Sequence, residues 1–348
     1  MNLKHISHLQ DYSNCKLFGL APDNEEIYCF ELTNKNGMIV QLTNYGATVT
    51  SLKVPATDGK LTDVVLGFDN PNSYIESYNL PSAPYFGTTV GRYAGRINKG
   101  RFTLNDKTFE LAGNNNGNAL HGGNIGFGQK IWDVTDLTNQ SVTFHLISEN
   151  LEENYPGELH VFLTYTLTEE NELKLEYKAT TTEDTVINLT HHSYFNLNGH
   201  DANVLDQEMF IDADKMLETN DESIPTGKFT ALDGHAFDFR TAKNCPASID
   251  NSFVINSNVE IAAQLFSPKN NLKMSVYTDQ PSVHIYVGGN CFDILKGKEN
   301  VNYTPVSGIC FETQNFPDAP NHSHFPNSVL KKGEEYQQTT IYKFENIN

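Results

Sequence analysis

Strict alternation of apolar and polar side chains limits what this chain can fold into more than any other feature. In Glu172–Thr180, Leu173, Leu175, Tyr177 and Ala179 alternate with Glu172, Lys174, Glu176 and Lys178. Successive side chains of a strand point to opposite faces, so this stretch reads as a strand with one buried and one wet face. Val161, Leu163, Tyr165 and Leu167 repeat the pattern, as do Val283, Ile285 and Val287 around His284 and Tyr286. Met38–Leu42, Val64–Leu66, Val186–Leu189 and Lys273–Val276 read as further strands. Helical signals are confined to Asn72–Tyr78, after Pro71, and to Glu260–Leu265. Many strands without strand–helix alternation predict an all-β chain built as a large antiparallel β-sandwich. A length of 348 residues would suit two average domains, but a large sandwich can hold it as one. No internal repeat or low-complexity linker divides the chain, so the expectation is a single domain over residues 1–348.

Charge narrows the function classes. With 43 acidic and 24 basic side chains the net charge is −19. Nucleic acid and anionic membrane surfaces repel such a chain, and a strongly anionic substrate would need a local basic pocket. No run approaches the roughly 20 apolar residues of a membrane span. The start, Met1-Asn2-Leu3-Lys4-His5, has no apolar signal region. The cysteines at 15, 29, 245, 291 and 310 are odd in number and scattered, which fits a reducing compartment better than a disulfide framework. The expected location is therefore cytoplasmic.

The sequence has no Gly-x-Ser-x-Gly elbow, Walker loop or dinucleotide fingerprint, and no Cys-x-x-Cys or His-Glu-x-x-His. Four segments hold reactive side chains in unusual settings: Gly91-Arg92-Tyr93-Ala94-Gly95-Arg96, Leu120-His121-Gly122-Gly123, Thr190-His191-His192-Ser193-Tyr194-Phe195-Asn196 and Cys310-Phe311-Glu312-Thr313-Gln314-Asn315. The glycines after His121 would let other groups approach the imidazole and backbone closely. On a strand, His191 and His192 point to opposite faces, so one of them at most lines a given pocket. Thr190, His192 and Tyr194 share a face, which leaves His191 as a support. Likewise Ile309 and Phe311 take one face, and Cys310, Glu312 and Gln314 the other. A carboxylate among apolar neighbours is partly desolvated and suited to proton transfer; the plain alternative is a buried carboxylate tied to an arginine. His322 and His324 form a His-x-His pair, but the prolines around them suggest a loop and no third ligand is near, so no metal site is assigned. The Asn114-Asn115-Asn116 run reads as a loop without chemical meaning.

Taken in order, these segments resemble the galactose mutarotase (aldose 1-epimerase) family. The resemblance runs from Leu42-Thr43-Asn44-Tyr45-Gly46-Ala47 and Asp63-Val64-Val65-Leu66-Gly67 through Val90-Gly91-Arg92, Leu120-His121-Gly122-Gly123 and Tyr155-Pro156-Gly157-Glu158. It continues over Asn188–Leu197, Ile224-Pro225-Thr226-Gly227 and Ala236-Phe237-Asp238, and closes with Glu312–Ala319 and Gly333-Glu334-Glu335-Tyr336. It implies a β-sandwich of the supersandwich type and an isomerase that interconverts the α and β anomers of free aldohexoses, galactose and also glucose, without a cofactor. By motif, Glu312 resembles the catalytic base and His192 the general acid. Arg96, His121 and Asp250 resemble sugar-binding residues, and His284 matches a pocket position of variable identity. The expected partner is a small sugar, with no nucleic acid and no membrane, and the protein as a monomer or homodimer. Three positions depart from the family pattern: Gly95 and His191 stand where asparagine is common, and Asn251 where histidine is frequent.

Other readings make different demands. A hexose-6-phosphate mutarotase would need several cations at the phosphate, with Arg92, Arg96 and Arg101 as candidates. A glycoside hydrolase would use paired carboxylates, whereas the central pair here is a glutamate and a histidine. A non-catalytic sugar-binding sandwich would bind without anomer exchange.

Overall fold

A computed structural model of the chain describes residues 8–56, 59–257, 259–288 and 294–347. Cys291 and the first five residues lie outside them. Three antiparallel sheets dominate. The N-terminal sheet has five strands in sequence order, from Cys15–Leu20 to Leu61–Asp63. A nine-stranded sheet is centred on Leu159–Leu167, Glu172–Thr181, Glu335–Asn346 and Leu272–Thr278. A six-stranded sheet runs Tyr194–Phe195, Ile309–Gln314, Ser282–Val287, Ile249–Ile255, Ala213–Thr219, Pro225–Ala231.

The alternation read from sequence is the alternation of burial. Along Leu159–Leu167 every odd-numbered residue is buried and every even-numbered one is half-exposed. Its register puts Leu163 opposite Tyr177 and Val161 opposite Ala179. One apolar core joins these residues to Val283, Ile285, Ile309 and Phe311 of the six-stranded sheet and to Val40, Leu42 and Leu52 of the N-terminal sheet. Each such side chain contributes roughly 1.5–3 kcal/mol on burial. Polar ties also join the sheets: Tyr342 Oη donates to the Phe311 carbonyl at 2.8 Å, and the hydroxyls of Thr313 and Thr340 meet at 2.6 Å.

The helix expected at Asn72–Tyr78 is found at Pro71–Ser77. Asn70 caps it by accepting the Ser73 N–H at 2.9 Å, and Pro71 takes the first turn, where no N–H is needed. The helix expected at Glu260–Leu265 is not formed. Ala263–Ser267 is a strand instead, paired on one side with Leu272–Thr278 and on the other with Glu208–Ile211. Ala263, Leu265 and Ser267 are its buried positions, so two neighbouring strands override a weak local helix signal. Val64–Leu66 is extended but lies beyond the strand that ends at Asp63; Val65 makes a single bridge to Phe195. In place of the strand expected at Val186–Leu189 there are two short ones, Thr185–Val186 and Thr190–His191. Between them Asn188 donates its side-chain amide to the Ala94 and Asn315 carbonyls.

Candidate active site

The outer face of the six-stranded sheet is the floor of a cleft of about 350 Å³. Parity delivers the floor. In Ser282–Val287 the residues Val283, Ile285 and Val287 enter the core, while His284 and Tyr286 face the cleft. In Ile309–Gln314 the core takes Ile309 and Phe311, and Glu312 and Gln314 face outward. His284 and Glu312 are direct cross-strand partners, as are Ser252 and His284.

His192 reaches the same floor from a different part of the chain. Its backbone N–H donates to Thr88 O at 2.9 Å and its carbonyl accepts from Gly87 N–H at 2.9 Å, so both backbone groups are fixed. The imidazole lies between Tyr85 and Tyr194, with ring centroids at 5.9 and 5.2 Å. Its Nε2 is 3.4 Å from Glu312 Oε1 and its Nδ1 is 3.6 Å from Cys310 Sγ. Glu312 is 2% exposed and His192 4%. Among the described residues no arginine is the partner of Glu312; its close ionic neighbour is this imidazole. His191 points the other way, into the core, where Nε2 meets Ser193 Oγ at 2.7 Å. Burial pushes its pKa down to about 3, so it stays neutral. Thr190, expected beside His192, donates instead to the Thr313 carbonyl at 3.0 Å.

His121 forms one wall. It sits in the left-handed region (φ 52°), followed by Gly122 and Gly123 at 92° and 115°. A β-carbon at Gly122 would fall 2.0 Å from the Gly91 carbonyl oxygen, so only glycine lets these loops touch. The Gly95 N–H donates to His121 Nδ1 at 3.2 Å. Burial, with the nearby charges of His192 and Arg96, holds the His121 pKa well below the usual imidazole range. The ring is therefore neutral, with its proton on Nε2. Gly95 (φ +76°) leaves no room for the asparagine common there, since a β-carbon would lie 2.8 Å from Pro317 Cγ.

The opposite wall is ionic. Asp250 Oδ1 accepts from His284 Nε2 at 2.9 Å, and its Oδ2 is 3.7 Å from Arg96 Nη1. His284 Nδ1 meets Ser252 Oγ at 2.9 Å. Burial alone would raise the Asp250 pKa, but the His284 hydrogen bond and the positive charges outweigh it and hold it far below the carboxylate range. His284 is displaced the other way: burial opposes its charge, and Asp250 more than restores it.

All six residues expected at the site, Arg96, His121, His192, Asp250, His284 and Glu312, line one cleft. His191 and Asn251 do not. Of the other two arginines considered for a phosphate, Arg92 is buried and Arg101 pairs with Glu110 on the surface. His322 pairs with Asp318 and His324 with the Gly227 carbonyl, and the two rings meet edge to face at 5.9 Å. Among the described residues, His192, Cys310 and Glu312 are the one group of three possible metal ligands, with ligand atoms within 4.8 Å of one another. Burial, and then Glu312, raises the Cys310 thiol well above its usual range, so Cys310 stands as a neutral thiol beside the pair.

Several contributors were not read from the sequence. Tyr85 contributes an aromatic wall, in edge contact with His121 at 4.8 Å. The asparagine run does have a role. Asn115 Oδ1 accepts from Arg96 Nε at 3.1 Å, and Asn114 donates to the Leu120 and Gly123 carbonyls and accepts the Leu120 N–H. It holds both Arg96 and the His121 turn. The one signal was position, a polar loop just before Leu120-His121-Gly122-Gly123.

A carboxylate and an imidazole, both shut from bulk water, meet at the base of a polar cleft on a β-sandwich scaffold, an arrangement suited to proton transfer. The comparisons with known proteins agree. The aldose 1-epimerase family profile matches residues 28–343. A galactose mutarotase from Bos taurus is 41% identical over 316 residues, 88% of this chain and 90% of that protein. An aldose 1-epimerase from Escherichia coli K12 is 31% identical over 342 residues, 93% of this chain and 97% of that one. The crystal structure of an aldose epimerase homologue from C. elegans superposes with a TM-score of 0.86 at 31% identity, covering 92% of this chain and 99% of that one. This chain belongs to the aldose 1-epimerase family, and its reaction class is that of an isomerase.

Proposed function

We propose that this protein interconverts the α and β anomers of free aldohexoses, galactose foremost and glucose also, with Glu312 as base and His192 as acid. The observation that carries the reading is the Glu312–His192 pair, 3.4 Å apart on the cleft floor. Mutarotation breaks and remakes one hemiacetal C–O bond, so the C1 hydroxyl must lose a proton while the ring oxygen gains one. Glu312 takes the C1 hydroxyl proton, and His192, as imidazolium, protonates the ring oxygen. The ring opens to the aldehyde, rotation about C1–C2 turns the other carbonyl face to the hydroxyl, and the pair runs in reverse. An imidazole carries a transferable proton on nitrogen, so it can donate in one step and accept in the reverse one.

The remaining groups orient the sugar. Neutral His121 offers its Nε2–H, and Arg96 offers guanidinium donors in a fixed plane. Asp250, ionised, accepts from hydroxyls. Tyr85 supports a sugar face. Each positioned proton-transfer group supplies about 10²–10⁴-fold, which suffices for a reaction that already proceeds in water, without metal or covalent intermediate. The named relatives, a galactose mutarotase and an aldose 1-epimerase, support the substrate class.

The test is anomer exchange followed by NMR with pure α-galactose and α-glucose. Glu312→Gln and His192→Gln should each lose about 10²–10⁴-fold in turnover while largely keeping sugar binding. Near wild-type exchange in either variant would remove the assigned role.

A further inference from the structure

Gln314 ends the strand Ile309–Gln314 and faces the cleft from the same side as Glu312. It is 1% exposed. Its main chain is well satisfied: it pairs with Ser282 in the sheet, and its backbone carbonyl accepts from Ser282 Oγ at 2.8 Å. Its side-chain carbonyl is not. Oε1 is closed off from solvent and has no hydrogen-bond partner. Native proteins rarely leave a buried acceptor unpaired, because its lost hydration is then uncompensated.

Among the described residues none donates to it. Arg96 gives Nε to Asn115 and turns Nη1 toward Asp250, and His284 gives Nε2 to Asp250. A donor that arrives with whatever fills the cleft reaches Oε1 when the Gln314 amide turns about its side-chain torsions toward the opening. Residues two apart on a strand are about 7 Å apart along it. If Glu312 is at the anomeric carbon, Gln314 meets the part of the ring remote from C1.

We propose that Gln314 Oε1 accepts a hydrogen bond from the C3 or C4 hydroxyl of the bound pyranose, which makes Gln314 a specificity-determining residue. The inference rests on the anomer-exchange reading above. It assigns Gln314 to binding alone, so ground state and transition state gain alike, and the effect falls on KM and not on kcat.

The experiment is NMR anomer exchange on galactose and on its monodeoxy and monodeoxyfluoro analogues at C2, C3, C4 and C6, with wild type and Gln314→Met. Methionine keeps the length and removes the amide. KM for galactose should rise about tenfold in the variant, the loss of one hydrogen bond, with kcat within about twofold. That rise should vanish for the analogues altered at C3 or at C4, and fluorine should behave like hydrogen because it cannot donate. The same rise for every sugar, no rise at all, or a vanishing rise at C2 or C6 overturns the inference. If the methionine variant does not fold, wild type decides: the Gln314 side-chain amide resonance must move with galactose and stay with the corresponding deoxy sugar. Movement with every sugar alike, or with none, overturns the inference. A wild type inert on every sugar overturns the reading of the site and this inference with it; an active wild type with a flat series overturns this inference alone.

Discussion

His284 donates Nε2–H to Asp250 at 2.9 Å, and the two partners titrate from opposite directions. Asp250 is held below its ordinary range, so its share of stability is present above about pH 4 and is lost as pH falls toward its folded value. His284 is held above its ordinary range, so its share is full below about pH 6.5 and is lost as pH rises through its folded value. The pair therefore acts fully between about pH 4 and 6.5. Asp250→Asn should lower the melting temperature most within that window, with the gap to wild type narrowing on either side. A gap that is constant with pH, in thermal melts, would show the pair to be idle. At this scale strand parity placed Glu312 on the outward face, because it separates core-facing from outward-facing positions without any knowledge of partners, whereas His192 lies between the strands Thr190–His191 and Tyr194–Phe195, where no parity holds. Tyr85 carried no such signal. It has a positive φ of 53° and lies in no named strand, so no period applies to it.

Two arginines four residues apart, Arg92 and Arg96, meet opposite fates because the loop between them turns at Gly95. Arg96 enters the cleft. Arg92 is buried, with Nη1 donating to the Pro156 and Gly157 carbonyls at 2.9 and 2.8 Å. Its Nη2 donates to Ser148 O, Ser148 Oγ and Glu149 O at 3.0, 2.6 and 3.2 Å. Burial pushes its pKa down to about 10, which still leaves it charged at neutral pH. This explains the Tyr155-Pro156-Gly157-Glu158 motif: that turn presents carbonyls to Arg92. Arg92→Met would leave several buried acceptors unpaired and should cost about 3 kcal/mol or more, read in denaturant unfolding. A loss below about 1 kcal/mol would show that water replaces the guanidinium. Elements of this kind were harder to read. Glu260–Leu265 reads as helix because a short segment states its own period weakly, and one of the strands that flank Ala263–Ser267, Glu208–Ile211, is distant in sequence.

Across the whole molecule the charge of −19 meets a cleft in which, among the described residues, Arg96 is the one arginine, and that arginine already faces Asp250. A sugar phosphate would bring a dianion with no free lysine or arginine among the described lining residues to receive it. The protein should therefore turn over glucose 6-phosphate with kcat/KM at least about 10²-fold below glucose, since unmatched like charges cost several kcal/mol. Comparable values for the two sugars, measured by NMR exchange, would revive the phosphate reading. The primary structure alone settled the all-β class and the inward or outward sense of side chains along the long strands, because the two-residue period follows from the sterics of an extended backbone. It also bore the ordered motifs of the family. Folding alone decided that His192 and Glu312 meet at 3.4 Å, that Arg92 goes inside while Arg96 does not, and that the asparagine run braces the site. Those outcomes depend on which distant strand or loop covers each face, and no local pattern of residues encodes its covering partner.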